Sequence, residues 1–403
     1  MKINVSKKMH NVKYDIRGSV SALATEMMRQ GEDIVFLNTG NPAAFGFVPP
    51  DFGEILTERE QLAAAYSDAK GLMEAREAIA AYESSKGIAN INVDNVFTGN
   101  GVSELITICL QALLNDGDEI LIPTPDYPLW TAAANLAGGT VVHYICDEAE
   151  NWYPDVADVR RKVTARTKAI VVISPNNPTG SVYPLAVIEE ICKIAREHNL
   201  LIFSDEIYDR LLMDDEKHIA VASLAPDLPV ITMNGLSKSH QLCGYRAGWM
   251  VISGNLSGAR AYMDGIVVLA SMRLCSNVNA QVIIPAALAD PHYAGNTLVP
   301  GGRLYEQREC AYNGLNAIPG VSVVKSKAGL YMFPKMDINK LRINDDERFV
   351  LDLLRSKHVL LTHGGSYNWS APDHFRMVYL PEKNVLEDVI KRLGDFLSEY
   401  RQY

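Results

Sequence analysis

A lysine and an arginine follow one apolar run of this sequence in a pattern that could carry amine chemistry. Lys238 comes after the run Val230–Met233, and Arg246 follows eight residues later. Most lysines are solvated surface groups, and that interpretation explains Lys238 taken alone. A lysine that is removed from water beside a second cation has a lowered pKa, however, and its amine can form a Schiff base with a carbonyl compound.

Acidic and amide side chains follow two other apolar runs. Asp205 comes after Leu201–Phe203 and Ser204, and Asn177-Pro178-Thr179-Gly180 follows Ile170–Ile173. In α/β proteins, ligands bind at the carboxyl ends of the strands. A buried carboxylate at such a place is costly without a partner. Taken alone, Asp205 is better explained as a helix cap, and Asn177-Pro178-Thr179-Gly180 is a turn sequence.

Two further features could bind anions. The sequence Gly99-Asn100-Gly101-Val102-Ser103 leads into a predicted helix, where free backbone N–H groups attract phosphate. A turn with a helix cap explains it as well, and it matches neither a Walker loop nor GxGxxG, which disfavours a nicotinamide-dependent dehydrogenase. Arg376, at the start of the predicted strand Phe375–Leu380, is either an ordinary surface charge or a planar fork for a carboxylate.

The elements that must position these residues alternate between helices and strands. Short apolar runs, such as Lys168–Ile173, are separated by amphipathic segments, such as Leu72–Ser84 and Leu185–His198. This pattern indicates parallel strands that are covered on both faces. Beyond about residue 290 the order of strands and helices favours a smaller α+β domain. The first 50 or so residues have too little periodicity to form a core alone and are expected to cover another part of the molecule.

Composition narrows the class of protein. The 403 residues carry 48 acidic and 38 basic side chains, a formal net charge of −10, which argues against non-specific binding to nucleic acid or to a membrane surface. No apolar stretch approaches the roughly 18–20 residues that cross a bilayer. The six cysteines form no CxxC pair, no metal-binding motif is visible, and the N-terminus lacks an apolar signal region. We therefore expect a cytoplasmic protein without a metal site.

Taken in order along the chain, the motifs resemble those of fold-type-I, pyridoxal-phosphate-dependent aminotransferases of classes I and II. They are Gly40-Asn41-Pro42, Tyr66 with Gly71, the helix entry at Gly101, Asn177–Gly180, Asp205–Tyr208, Ser237-Lys238 with Arg246, and Arg376. More narrowly, four segments resemble bacterial glutamate–pyruvate (alanine) aminotransferases: 14–18, 40–47, 125–133 and 300–308.

The resemblance implies a fold and a domain organisation. A large cofactor-binding domain, residues 51–290, would contain a mixed, mostly parallel seven-stranded sheet flanked by helices. Residues 291–403 would form the smaller α+β domain. Residues 1–50 would form an N-terminal arm and part of the small domain.

The resemblance also implies roles at the cofactor ring. Lys238 would form the Schiff base with pyridoxal 5'-phosphate and then move a proton between the substrate Cα and the cofactor. Asp205 would pair with the pyridine nitrogen and keep the ring protonated, so that the ring accepts electrons. Tyr208 and Asn177 would hydrogen-bond the phenolic oxygen, and Tyr127 would stack on the ring.

Other residues would bind the phosphate of the cofactor. By resemblance these are the helix entry at Gly101, Val102 and Ser103, together with Ser237, Arg246 and, from a neighbouring subunit, Tyr66. A contact from Tyr66 would make the complete site a property of a homodimer. One position departs from a common form of the motif, because this chain has Gly235 where many relatives have serine, so one hydroxyl contact to the phosphate is missing or replaced.

The implied substrates are small amino acids and keto acids. Arg376 would bind the α-carboxylate, helped by Asn177 and the backbone at Gly40. Glutamate needs a second cation for its γ-carboxylate, and Arg17 is our candidate, although a charge on a flexible arm explains Arg17 equally well.

The resulting prediction is a transaminase that converts L-alanine and 2-oxoglutarate into pyruvate and L-glutamate by a ping-pong mechanism. An aspartate, aromatic or other small-amino-acid aminotransferase and a C–S β-lyase remain open on the same fold. A regulatory domain without turnover is disfavoured, because such proteins usually carry a basic DNA-binding extension and this chain has none at its N-terminus while keeping Lys238.

Overall fold

The apolar runs of the sequence form the centre of a large sheet in the computed structural model, which describes residues 3–12, 14, 18–290, 293 and 295–403. The strands, in chain order, are β1 (Val35–Phe36), β2 (Val96–Asn100), β3 (Glu119–Thr124), β4 (Thr140–Asp147), β5 (Tyr153–Pro154), β6 (Thr167–Ile173), β7 (Leu201–Asp205), β8 (Val230–Gly235), β9 (Ala247–Ser253), β10 (Val321–Ser322), β11 (Tyr331–Met332), β12 (Lys335–Met336), β13 (Val359–Leu360), β14 (Thr362–His363) and β15 (Phe375–Val378).

The central sheet has the strand order β2-β9-β8-β7-β6-β3-β4-β5. The neighbours from β8 to β4 pair in parallel, whereas β9 runs antiparallel to both β2 and β8. The predicted mixed, mostly parallel sheet is therefore confirmed. Its seven longer strands match the expected number, and β5, a strand of two residues, adds an eighth at one edge. Strand β9 was missed in the sequence because no turn signal sets it apart from the motif around Arg246.

Helices cover both faces of this sheet. In chain order they are α1 (Ser19–Arg29), α2 (Gly53–Glu58), α3 (Glu60–Ala63), α4 (Met73–Ser85), α5 (Val102–Leu113), α6 (Leu129–Leu136), α7 (Val156–Lys162), α8 (Leu185–His198), α9 (Val221–Leu224), α10 (Leu236–Ser239), α11 (Arg260–Met272), α12 (Val278–Ala289), α13 (Arg303–Asn316), α14 (Ile338–Leu341), α15 (Asp346–Lys357) and α16 (Lys383–Glu399). Among the described residues, none of these helices has both the length and the apolarity to cross a membrane.

Alternate residues of the strands pack against different helices. Val171 on β6 lies in a core with Leu105 of α5 and Ile266 of α11, whereas its neighbour Val172 lies in a core with Ile188 of α8. Successive side chains of a strand point to opposite faces, so a fully apolar strand needs cover on both sides. This packing holds the strand ends rigidly in place.

A separate core lies in the C-terminal part of the chain and includes residues near the N-terminus. Val20, Ala24 and Leu37 share it with Leu353 of α15 and Leu393 of α16. Strand β1 pairs in parallel with β13, and β15 lies between β11 and β14. The segment around residues 20–47 thus packs with the C-terminal elements. The assignment of residues 1–50, 51–290 and 291–403 to an arm and two domains stays a prediction.

Candidate functional site

A cavity of about 230 Å³ opens at the carboxyl ends of the parallel strands. Most of the residues that the sequence singled out line it, although they come from distant parts of the chain. They are Gly40, Val102, Ser103, Tyr127, Asn177, Asp205, Tyr208, Ser237, Lys238, Arg246 and Arg376. The expectation that polar residues after successive strands meet at one sheet edge is therefore met by the geometry.

Asp205 is the last residue of β7 and is 3 % exposed. Its carboxylate accepts hydrogen bonds from the indole of Trp130, at 3.1 Å, and from the N–H of Ile207, at 3.4 Å. No cation among the described residues pairs with it. Burial raises the pKa of Asp205 to about 6, against the lowering effect of these two hydrogen bonds. A buried acceptor of this kind favours a cationic or N–H-bearing ligand in the cavity.

Lys238 lies on the short helix α10, which begins directly after β8. Its amine donates a hydrogen bond to the carbonyl of Gly40 at 2.8 Å and lies 3.9 Å from the sulfur of Cys243. The amine forms no ion pair with a described carboxylate. It is therefore placed in the cavity without an opposing charge, where it can meet a carbonyl-bearing ligand.

Arg376, on β15, brings a buried guanidinium to the same cavity. It is 2 % exposed, donates to Asn177 Oδ1 at 3.0 Å and to the carbonyl of Asn38, and lies over the ring of Tyr331 at 4.2 Å. Its Nε has no hydrogen-bond partner in the described structure. A buried guanidinium that meets carbonyls and rings, but no described carboxylate, is suited to a bidentate anionic ligand.

The start of α5 forms the opposite wall. Gly101 is the N-cap and supplies no side chain, so Val102 and Ser103 bring the first turn of the helix to the cavity. Gly101 has φ +78°, and a Cβ there would lie 2.2 Å from Nη2 of Arg246. Arg246 itself donates to the carbonyl of Cys243 at 2.8 Å. The helix N-terminus and the arginine together favour an anion such as phosphate.

Comparison with known proteins agrees with this geometry. Residues 32–393 match the model of the family described as aminotransferase class I and II. The chain belongs to this aminotransferase family.

Individual aminotransferases are similar over the whole length. The chain is 52 % identical over 400 residues to the glutamate-pyruvate aminotransferase AlaA of Haemophilus influenzae, which covers 98 % of each chain. The crystal structure of an aminotransferase from Escherichia coli superposes with a TM-score of 0.98 at 50 % identity and covers 100 % of each chain. The alanine aminotransferase of Pyrococcus furiosus has a TM-score of 0.91 at 39 % identity and covers 98 % of this chain and 100 % of its own.

Several residues of the aminotransferase cavity were not identified in the sequence. Tyr331 is the most central: its hydroxyl accepts a hydrogen bond from Tyr208 at 3.0 Å, and a Cβ at Gly40 would lie 2.1 Å from it. Tyr14 and Cys243 also line the cavity, and the Tyr14 hydroxyl lies 3.1 Å from that of Tyr127. Tyr331 lies on the short strand β11, and nothing local in the sequence distinguishes it from a core tyrosine.

Three positions that the sequence singled out are not among the described residues that line this cavity. Tyr66 is 78 % exposed and does not line this cavity, so its predicted role toward a neighbouring subunit stays a prediction. Arg17 lies outside the described residues. At Gly235, where many relatives have serine, a Cβ would lie 2.6 Å from the carbonyl of Ala247. The close approach of β8 and β9 therefore explains why this chain has glycine there.

Proposed function

We propose that this aminotransferase uses pyridoxal 5'-phosphate to convert L-alanine and 2-oxoglutarate into pyruvate and L-glutamate. The observation that carries the proposal is the convergence of Lys238, Asp205 and Arg376 in one cavity, none of them in an ion pair with a described residue. The choice of alanine is supported by a relative named glutamate-pyruvate aminotransferase, at 52 % identity, and by one named alanine aminotransferase, at 39 % identity.

The residues present fit this cofactor. Asp205 would receive the N–H of the pyridine ring, because its buried carboxylate has no cationic partner among the described residues. The first turn of α5, with Ser237 and Arg246, would hold the phosphate. Tyr208 and Asn177 would bind the phenolic oxygen, beside Tyr127. When bound, the cofactor supplies an aldehyde that condenses with amines and a ring that draws electrons from the substrate Cα.

Different residues of the chain would bind the substrate and move its proton. The guanidinium of Arg376 binds the α-carboxylate and, with Asn177, orients the Cα–H bond. The amine of Lys238 would take the proton from Cα of L-alanine and pass it to the bound cofactor; with 2-oxoglutarate it would carry a proton in the opposite direction, to Cα, so both halves of the exchange would use the same base. Because alanine and glutamate share the α-amino and α-carboxylate groups, one site accepts both in turn. Arg17 remains the candidate for the γ-carboxylate.

A homodimer with shared sites belongs to the same proposal. Exposed apolar side chains lie on α11, where Val268 is 60 % and Met272 is 76 % exposed, and Tyr66 is also strongly exposed. Contact with a second copy would cover such groups. It would also allow Tyr66 to reach the phosphate of the partner's cofactor.

The test is an absorbance and turnover measurement on protein supplied with pyridoxal phosphate. We expect a visible band that bleaches when L-alanine is added without a keto acid and returns with 2-oxoglutarate. Lys238→Ala should still bind the cofactor but should lose turnover by several orders of magnitude, since one group is both nucleophile and base. L-Aspartate and cystathionine serve as competing substrates. Faster release of pyruvate and ammonia from cystathionine would favour the C–S β-lyase, and a protein that never develops the band would refute the proposal.

A further inference from the structure

A second cluster of buried charges lies behind the strand ends that form the cavity, and the proposed reaction does not use it. Lys86, the residue that directly follows α4, has a side chain that is only 12 % exposed. Its amine lies 2.5 Å from Glu83, 2.9 Å from Glu206 and 3.2 Å from Asp209, whose side chains are 0–2 % exposed. One ammonium group thus lies within ion-pair distance of three buried carboxyl groups, which makes it the centre of the cluster.

Two of these carboxylates flank the segment that carries the cofactor-facing groups. Glu206 directly follows Asp205, and Asp209 directly follows Tyr208. Glu206 also accepts from Ser204 at 2.8 Å and contacts His218 at 2.8 Å. The segment between Asp205 and Tyr208 is therefore anchored on both sides by the same ammonium group. Movement of either anchor would move the carboxylate of Asp205 or the hydroxyl of Tyr208.

The third connection leads toward the Schiff-base lysine. Asp209 accepts a hydrogen bond from Nδ2 of Asn234 at 2.7 Å. Asn234 lies at the end of β8, four residues before Lys238. On the adjoining strand, Trp249 pairs with Asn234 in register and donates its indole N–H to Glu83 at 2.8 Å. The cluster thus joins the ends of β7, β8 and β9.

We propose that Lys86 is a positioning residue for the transamination reaction. Its ion pairs fix the positions of Asp205, Tyr208 and the backbone before Lys238 relative to one another. The inference rests on the proposed function, because it assigns those three groups to one cofactor. Catalytic groups tolerate little displacement, and a shift of about 1 Å can reduce the rate about 100-fold. Lys86 touches neither the cavity nor the groups that bind the substrate carboxylate, so its effect should be selective.

The test replaces Lys86 by methionine, which keeps the apolar stem and removes the charge. We expect kcat for L-alanine to fall about ten-fold or more, with KM changed less than about three-fold, because Arg376 and Asn177 are not part of the cluster. The dissociation constant of the apoprotein for pyridoxal phosphate should rise, and the pH midpoint of the visible band should shift. These two readouts do not depend on turnover.

A matched control separates positioning from general loss of stability. Arg308→Met breaks another buried ion pair, that of Arg308 with Asp214 at 2.8 Å, which does not line the cavity. It should lower the melting temperature but leave kcat, cofactor affinity and the visible band unchanged. Equal kinetic and spectral effects in the two variants, or wild-type behaviour of Lys86→Met, would overturn the proposal.

A second variant and the wild type complete the experiment. If Lys86→Met does not fold, Asn234→Ala removes only the link from Asp209 to β8, and we expect smaller changes in the same direction; wild-type kinetics and cofactor binding in that variant would overturn the proposal. The wild type is measured in parallel. If it binds the cofactor but does not transaminate L-alanine, the proposed function fails, whereas the comparison of cofactor dissociation constants still decides the role of Lys86.

Discussion

Asp205 and Glu206 are adjacent in the chain and both are buried, yet their carboxylates meet opposite conditions. Asp205 lines the cavity without a cationic partner among the described residues, and burial raises its pKa to about 6. Burial alone would also raise the pKa of Glu206, but the charges of Lys86 and His218 lower it below its ordinary value. Two adjacent carboxylates therefore differ in what compensates them: the protein supplies cations to Glu206, whereas Asp205 is left to a ligand.

The same contrast separates two buried arginines. Arg308 is fully buried and forms a bidentate pair with Asp214, with both distances 2.8 Å. Arg376 is almost as buried, but in the described structure it meets an amide, a carbonyl and aromatic rings instead of a carboxylate. A buried charge is costly unless something compensates it. Where the protein does not supply the opposite charge, the ligand is expected to do so.

The largest expected effect comes from changing the arginine that lacks a partner. Arg376→Lys keeps the charge but loses the planar fork, so kcat/KM for L-alanine should fall about 100-fold or more. The measurement is steady-state turnover with varied L-alanine. Arg308→Lys is the matched control, since it should reduce thermal stability and leave kcat/KM unchanged. Similar losses of kcat/KM in both variants would contradict the proposal that only the arginine without a carboxylate partner binds the substrate.

Removing the charge of Asp205 or of Glu206 should have a smaller effect, on stability, and the sign of this effect should differ between the two residues. Because the pKa of Asp205 is raised on folding, the folded apoprotein holds an extra proton between about pH 4 and pH 6, and stability falls as the pH rises through this window. Asp205→Asn removes this cost and should stabilise the apoprotein by about 1–3 kcal/mol at about pH 7, with a smaller difference below about pH 4.

Glu206→Gln should do the reverse. The lowered pKa of Glu206 contributes stability above the pKa of the unfolded chain, which is lost as the pH falls toward the folded value. Removing this charge leaves Lys86 less compensated and should destabilise the apoprotein by about 1–3 kcal/mol at about pH 7. Urea unfolding of both variants at several pH values measures the difference. Changes of the same sign at about pH 7 would contradict the assignment.

The smallest effect is expected at the rim of the cavity. Tyr14 is 38 % exposed, and its hydroxyl lies 3.1 Å from that of Tyr127. A partly solvated hydrogen bond contributes little, so Tyr14→Phe should change KM for L-alanine about two- to five-fold and leave kcat nearly constant. Tyr403→Phe, at a position 94 % exposed, provides the control. A large loss of kcat in Tyr14→Phe would place this rim residue among the groups that act on the reaction itself.

The sequence allowed most of the cavity to be predicted because its residues follow buried strands. Asp205, Asn177 and Lys238 each come after a short apolar run, and the ends of parallel strands meet at one edge. The helix Leu185–His198 was predicted with the bounds that the structure gives, since its charges and apolar positions follow the helical period. Local patterns were sufficient wherever a site residue was fixed by its own strand or helix.

Contacts between distant segments could not be predicted in this way. Lys86 and Glu206 are 120 positions apart, and neither stands in a pattern that points to the other. The same holds for Tyr331, which meets Tyr208 across 123 positions. Strand β9 was missed because its apolar residues follow Arg246 without a break. Such features depend on how elements pack, which periodicity and spacing do not specify.

The glycine at position 235 limits which residues can stand around it. Gly235 pairs with Gly248 on β9, and a Cβ at Gly248 would in turn lie 2.6 Å from the backbone of Gly101 and Val102. A serine at 235 alone would clash with β9 and would disturb these contacts, whatever group its hydroxyl meets. Serine at 235 therefore requires a wider spacing between β8 and β9, so the residue at this position depends on how β9 packs against the start of α5.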